Sequence, residues 1–334
     1  MSFKIVVANQ IHKSVLGMLE NQGHVVINSG SEPWTKEELL FHCSDADALM
    51  AFMTESINDE FLEQCPKLKI IAGALKGYNN LDIHACNKRG VAVTIVPDLL
   101  TDPTAELTIG LMIAVARNFV PGDVFVRSGD FNGWRPKFYG GSIQGSTIGV
   151  LGAGAVGQAI LRLLSGFNCK RLYVDKSPLS SDDENQLGVT RSTLNLVQQE
   201  ADFIILAMHL MPETLHMVDD EFLSHVKKGS YLINPARGSL VDEAAVVKAL
   251  EQEKLAGYAT DTFEMEDWAL PARPRIIHQG LLNSDKTVLT PHIGSAVRSV
   301  REAIELSAAE SIITFSNGNF PNTTVNKKEL AITR

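Results

Sequence analysis

Apolar runs of four to seven residues recur along this chain, separated by stretches in which apolar and polar positions mix at helical spacing. In the first hundred residues the runs KIVVA, HVVI, ADALMAF, LKIIAG and VAVTIV predict strands, and residues 11–21, 35–43, 58–65 and 82–89 predict the helices between them. Strands alternating with helices indicate a parallel sheet, because a parallel crossover needs room for a helix. A second series begins at 146, with TIGVLG, RLYVD, DFIILAM, SYLINP, GYATDTF and TVLTP as strands. Between the two series, residues 103–128 predict one long helix, or two broken at Pro121, apolar enough to be buried between domains or subunits. Residues 296–318 predict a helix that returns to the first domain. The expected class is α/β: two Rossmann-like, doubly wound parallel-sheet domains with a cleft between them. Residues 1–98 with 298–334 form a discontinuous substrate domain, and residues 99–297 form the dinucleotide-binding domain, including a long dimerisation helix.

The segment GSTIGVLGAGAVG reads as a strand, a tight turn and a helix start, with Gly152, Gly154 and Gly157 at fixed spacing around Ala153, Ala155 and Val156. Gly152 permits the turn, Gly154 lets backbone approach a pyrophosphate, and Gly157 lets the helix pack on the strand. The positive helix N-terminus then faces the phosphates. Asp175 ends the next strand, where a carboxylate binds the ribose hydroxyls. This context, more than the glycines alone, indicates a dinucleotide. Asp175 repels a 2′-phosphate and so favours NAD, while Lys176 offers it a cation or is a solvated surface charge. The expected cofactor is NAD, with some NADP tolerance.

Three segments that place charged groups at strand ends narrow the chemistry, because open α/β sheets bind ligands there. Arg237 follows the strand ending at Asn234–Pro235, Glu264 and Glu266 follow GYATDTF, and His292 lies between a strand and a helix start. Arginine grips an anion, histidine moves a proton, and a carboxylate fixes its tautomer. Singly, each has an ordinary explanation as a surface charge; the order Arg237, Glu266, His292 after a dinucleotide motif points to hydride transfer. The other eight of the nine histidines have no such setting.

At 334 residues the chain suits two domains. Its net charge of −9 argues against nonspecific nucleic-acid binding. No uninterrupted apolar run of ~18 residues predicts a membrane span, and the N-terminus lacks a signal-peptide pattern. The four scattered cysteines suit a reducing cytoplasm and neither disulfides nor a metal site.

The segments GAGAVG, NPARGSLVDEAAV, GYATDTFEMED and LTPHIGSA resemble the D-isomer-specific 2-hydroxyacid dehydrogenase superfamily over nearly the whole chain. Within it, MAFM, ALKGYNNLD, VPDLLTDPTAELTIGL, FVRSGDFNGWRPKFYGG, FEMEDWALPARPR and TPHIGSAVRSVR are similar to the phosphite dehydrogenases. The resemblance implies oxidation of phosphite to phosphate, with hydride passing to NAD, water as co-substrate and a homodimer as the assembly. It implies that Met53, Lys76, Gly77, Trp134, Tyr139, Arg237 and Arg301 bind substrate, and that Thr104, Pro235, Ala236, Asp261 and His292 join the glycine loop at the cofactor. By side-chain type alone, Met53, Trp134 and Tyr139 fit core packing equally well. Phosphite is a small dianion whose removal from water requires several cations, so Lys76 and Arg301 beside Arg237 fit it better than a 2-hydroxy acid. His292 is either the base or an orienting cation. Asn79, where aspartate is frequent, removes an anion near Lys76. His209 and Ala236 also depart from the pattern, without a catalytic consequence. The alternatives are a 2-hydroxyacid dehydrogenase or 2-oxoacid reductase on the same scaffold, and an NAD-sensing, partner-binding protein.

Overall fold

In the computed structural model, residues 3–96 and 98–332 are described. The chain divides into two compact units. The first comprises Met1–Leu100, Trp268–Pro271 and Ala296–Arg334; the second comprises Thr101–Asp267 and Ala272–Ser295.

The first unit holds β1 (Lys4–Val7), β2 (His24–Ile27), β3 (Ala48–Ala51), β4 (Ile70–Gly73) and β5 (Ala92–Thr94). They form a parallel sheet in the order β2-β1-β3-β4-β5. The central strands are apolar without alternation because helices cover both faces: Ile5, Val6, Val7, Leu49, Met50, Ile70 and Ile71 are all fully buried. Helix Lys36–Cys43 starts at a capping box in which Thr35 accepts from the Glu38 N–H and Glu38 reaches back to Thr35. Helices Asp59–Gln64 and Ile83–Arg89 start at Asn58 and Asp82, whose side chains accept from the N–H groups of Phe61 and Ala85.

The second unit holds β6 (Thr147–Leu151), β7 (Lys170–Val174), β8 (Thr190–Arg191), β9 (Phe203–Leu206), β10 (Ser230–Asn234), β11 (Leu255–Thr260) and β12 (Thr287–Leu289). The order β12-β11-β10-β9-β6-β7-β8 is parallel throughout and reverses direction between β6 and β9. That reversal opens a ligand crevice at the carboxyl end of β6, where the glycine loop begins.

The apolar stretch 103–128 is two helices, Thr101–Ala116 and Phe119–Arg127. The break falls at Asn118, whose φ of 53° is left-handed, and not at Pro121. Pro121 sits in the first turn of the second helix, where a missing N–H is harmless. The first helix is long and apolar enough to cross a membrane by composition, yet it packs on β10 and β11 with Ala105, Leu111, Met112, Val115 and Ala116 buried. It is a core helix. The second buries none of its residues.

Helix Arg298–Ser316 packs on β3 and β4. Beyond it the chain pairs with β5: Val325 N–H donates to the Val93 carbonyl, and Thr94 bridges Thr324 antiparallel. Asn326, fully buried, fastens this return by accepting from Val93 N–H at 2.9 Å and donating to Val91 O and Asn87 Oδ1. Asn326→Ala leaves buried backbone groups unpaired and should destabilise the first unit by about 2–4 kcal/mol. A shift of its urea midpoint, read by a probe confined to that unit, measures the loss.

Candidate active site

The glycine loop is shaped from inside the second unit. Gly152 has φ of +104°, and a Cβ there would lie 2.4 Å from the Ala207 carbonyl oxygen. A Cβ on Gly157 would lie 2.0 Å from the Gly152 oxygen. These two glycines are therefore required by the protein itself. Gly154 differs: a Cβ there meets nothing within 4 Å, so its open face is space for another molecule. Gly154 also begins helix Ala155–Leu163 without a side-chain cap, leaving N–H groups for an anion. Ala153 is buried, and its N–H donates to Asp175 Oδ2 at 2.7 Å. The other Asp175 oxygen accepts from Ser177 N–H at 3.0 Å. Asp175 is thus drawn over the loop, while Lys176 is exposed beside it. The cradle and the ribose-binding acid fit a dinucleotide.

Arg237, Glu266 and His292 come together at the carboxyl ends of β10, β11 and β12. Gly238 is the reason the first two meet. A Cβ there would lie 1.8 Å from the Phe263 carbonyl carbon, so the turn after β10 presses backbone to backbone on the turn after β11. Buried Asn234 ties Pro235–Arg237 down, accepting from Ala236 N–H and donating to the Arg237 carbonyl. Glu266 Oε1 accepts from Phe263 N–H at 2.6 Å, and Oε2 meets His292 Nδ1 at 2.7 Å. A carboxylate only accepts, so Nδ1 carries the proton and Nε2 is left for proton exchange.

His292 has φ of +54°, an uncommon conformation for a non-glycine residue. Asp261 enforces it. Its carboxylate accepts from Thr290 Oγ1, Ile293 N–H and Gly294 N–H, and its carbonyl accepts from His292 N–H. Asp261 thus braces the His292 turn, a use of its carboxylate that requires no cofactor. Thr104 lies against the same turn, its Oγ1 3.2 Å from a Cβ placed on Gly294.

Three acids lie behind this cluster, two of which, Glu243 and Asp267, sequence reasoning did not single out. Glu264, for which a solvated surface charge was the ordinary alternative, is 8% exposed. It exchanges backbone hydrogen bonds with buried Glu243, each carboxylate accepting the other's N–H, and meets His216 Nε2 at 2.8 Å. Burial pushes the Glu243 carboxyl above its usual range. Asp267, 3% exposed, accepts from Ser239 N–H at 2.8 Å. Burial raises its pKa, opposed by Ser239 and Arg237. Burial also lowers the pKa of the Arg237 guanidinium, opposed by the Asp267 and Glu266 carboxylates.

In the first unit, Met53 follows β3 and Lys76–Gly77 follow the neighbouring β4. Lys76 Nζ meets Asp98 Oδ1 at 2.5 Å. Asn79 therefore does not leave this lysine without an anion, because Asp98 supplies one from further along the chain. Arg301 is half-buried on helix Arg298–Ser316, its pKa lowered by burial and supported by Glu305. Glu305 in turn binds His12 through both its N–H and Nδ1.

Trp134 and Tyr139 are 78% and 79% exposed. The segment after helix Phe119–Arg127 carries them on the surface. Trp134 borders a shallow apolar groove with Phe125, Val126, Phe131 and Phe138.

An imidazole poised for proton exchange, on a sheet with a dinucleotide cradle, matches a hydride transfer that also moves a proton. The second unit thereby defines an NAD(P)-dependent dehydrogenase. Residues 109–294 match the D-isomer specific 2-hydroxyacid dehydrogenase, NAD binding domain. The chain is 38% identical to a glyoxylate reductase of Pyrococcus furiosus, covering 98% of this chain and 97% of that one. It superposes on the TT0316 protein of Thermus thermophilus with TM-score 0.87 and 32% identity, covering 96% and 99% of the two chains. An NADPH-dependent glyoxylate/hydroxypyruvate reductase of Sinorhizobium meliloti, solved with NADP and malonate, gives TM-score 0.83 and 27% identity over 98% and 97%. The chain belongs to the D-isomer specific 2-hydroxyacid dehydrogenase family and is an oxidoreductase binding NAD(P).

The two kinds of glycine can be separated experimentally. Gly154→Ala should keep the melting temperature and weaken NADH binding by roughly tenfold or more, since its Cβ enters only ligand space. Gly157→Ala should lower the melting temperature by several degrees, from about 1–3 kcal/mol of overpacking. Fluorescence titration and a thermal scan of each variant read both effects.

Proposed function

We propose that this oxidoreductase oxidises phosphite to phosphate, using NAD in preference to NADP. The observation that carries the substrate is Lys76, whose ammonium is drawn onto a carboxylate and whose side chain is 29% exposed, in the same unit as half-buried Arg301. A dianion calls for such cations in addition to Arg237. The Asp98 partner is 75% exposed, so its pairing with Lys76 is weak enough to yield to an incoming oxyanion. The segments that resemble the phosphite dehydrogenases lie in both units and support the same substrate.

Bound NAD supplies the hydride acceptor. Lys76 and Arg301 are the cations that the first unit offers to the phosphite oxygens, and Arg237 is the cation beside the base in the second. His292 Nε2 takes a proton from water as the water oxygen bonds to phosphorus and the P–H electron pair leaves as hydride. Glu266 keeps Nδ1 protonated and stabilises the resulting imidazolium. Asp175 favours an unphosphorylated ribose, with Lys176 softening that preference. Four free thiols suit a cytoplasmic enzyme.

A second reading is reduction of a small 2-oxo acid by the same arginine, glutamate and histidine. The name glyoxylate reductase borne by the relatives favours it over phosphite. At this identity the name speaks most strongly for the shared scaffold and hydride chemistry.

NADH absorbance decides between them. Phosphite with NAD should generate NADH, whereas efficient NADH consumption on glyoxylate without phosphite turnover establishes the second reading. Lys76→Ala should raise the phosphite KM at least about tenfold and leave that for NAD unchanged. His292→Ala should cut kcat by roughly 10²–10⁴ with NAD affinity intact.

We further propose a homodimer through the exposed apolar face of Phe119, Val124, Val126, Phe131 and Trp134. Light scattering should give twice the chain mass, and Val124→Asp should return it to one.

A further inference from the structure

The turn after β7 is flanked by a second cation that the glycine motif does not predict. β8 is a two-residue edge strand paired with β7, Arg191 lying opposite Tyr173. From there the Arg191 side chain runs along the carboxyl end of β7. Its Nη2 donates to the Asp175 carbonyl at 3.0 Å and the Lys176 carbonyl at 3.2 Å. Those carbonyls belong to the residue whose carboxylate covers the glycine loop and to the one whose ammonium is exposed beside it. Arg191 is itself exposed, and only its Nη2 is engaged among the described residues. A guanidinium has five N–H donors. The N–H groups on Nε and Nη1 therefore remain to meet an anion, on a side chain already fixed at one end.

The charges at this turn set the requirement. A 2′-phosphate brings about 1.5 to 2 negative charges toward the Asp175 carboxylate. One exposed ammonium offsets little of that repulsion. A guanidinium held at the same turn offers directed, charge-assisted bonds and loses little side-chain freedom on binding, because the carbonyl contacts already restrict it.

We infer that Arg191, together with Lys176, forms the contact for a 2′-phosphate and sets how well the protein accepts NADP beside NAD. The inference rests on NAD(P) binding and not on the identity of the oxidised substrate. Arg191 acts here on cofactor choice, away from the proton and hydride chemistry.

Calorimetric binding of ADP-ribose and 2′-phospho-ADP-ribose to the full chain tests it without turnover. Arg191→Ala should weaken the phosphorylated probe about tenfold or more and leave ADP-ribose within about twofold. Arg191→Gln keeps amide donors for the two carbonyls and removes the charge, so it should lose the phosphorylated probe selectively even if the alanine variant loosens the turn. Arg191→Lys should fall between the original chain and these variants. Equal weakening of both probes by Arg191→Gln makes Arg191 a clamp on the turn only and overturns the inference. So does an unchanged ratio of the two affinities in both neutral variants.

Discussion

The reactive cluster depends on one steric constraint, the closeness of the chain at Gly238 to the chain at Phe263. With 1.8 Å between a Cβ at Gly238 and the Phe263 carbonyl carbon, no L side chain fits without moving one turn off the other. This contact joins the turn carrying Arg237 to the turn carrying Glu266. Hydrogen bonds then fix what the contact brings together: Ser239 to Asp267, and Glu243 reciprocally to Glu264. A preorganised site needs such support, because a group that must be oriented during reaction loses much of its electrostatic advantage.

Much of this was legible from residue order. The central strands of both sheets face helices on two sides, so their apolar runs stood out without an alternating pattern. The glycine spacing worked because Gly152 and Gly157 are imposed by contacts inside the unit, whereas Gly154 faces open space at the start of a helix. Arg237, Glu266 and His292 were legible because strand ends are where such sheets present chemistry. Exposed β8 has only two residues, too few for any periodicity to register.

The residues missed share a different character. Asp267 and Glu243 act through backbone N–H groups of segments remote in sequence, and no spacing rule reports which N–H a carboxylate will find. Glu264 stood beside Glu266 at a strand end, and its position alone did not tell the two acids apart. The 3-10 turn Glu264–Glu266 instead directs the first acid to Glu243 and His216, and the second to His292. The helix break at Asn118 was misplaced for a related reason. Proline is harmless in a helix's first turn, while asparagine tolerates the left-handed conformation that the connection adopts.

Each cation assigned to the chemistry lies near an acid, and the acids differ in how firmly they are held. Arg237 faces Asp267 and Glu266, Arg301 faces Glu305, and Lys76 faces Asp98. Asp267 and Glu305 are buried and bonded to backbone N–H groups, so withdrawing either would leave unmatched buried polar groups. Their proximity offsets the cost of burying the arginine charges. Asp98 is exposed, and water can solvate its carboxylate as well as Lys76 does. Two unit charges 4 Å apart interact by about 4 kcal/mol at the effective dielectric of a partly exposed site, and by about 1 kcal/mol in bulk water. On the proposed reading, an oxyanion that shields Lys76 from solvent would therefore gain more from it than Asp98 gives up. The two arginines thus lie beside buried acids, whereas Lys76 is paired with an exposed one.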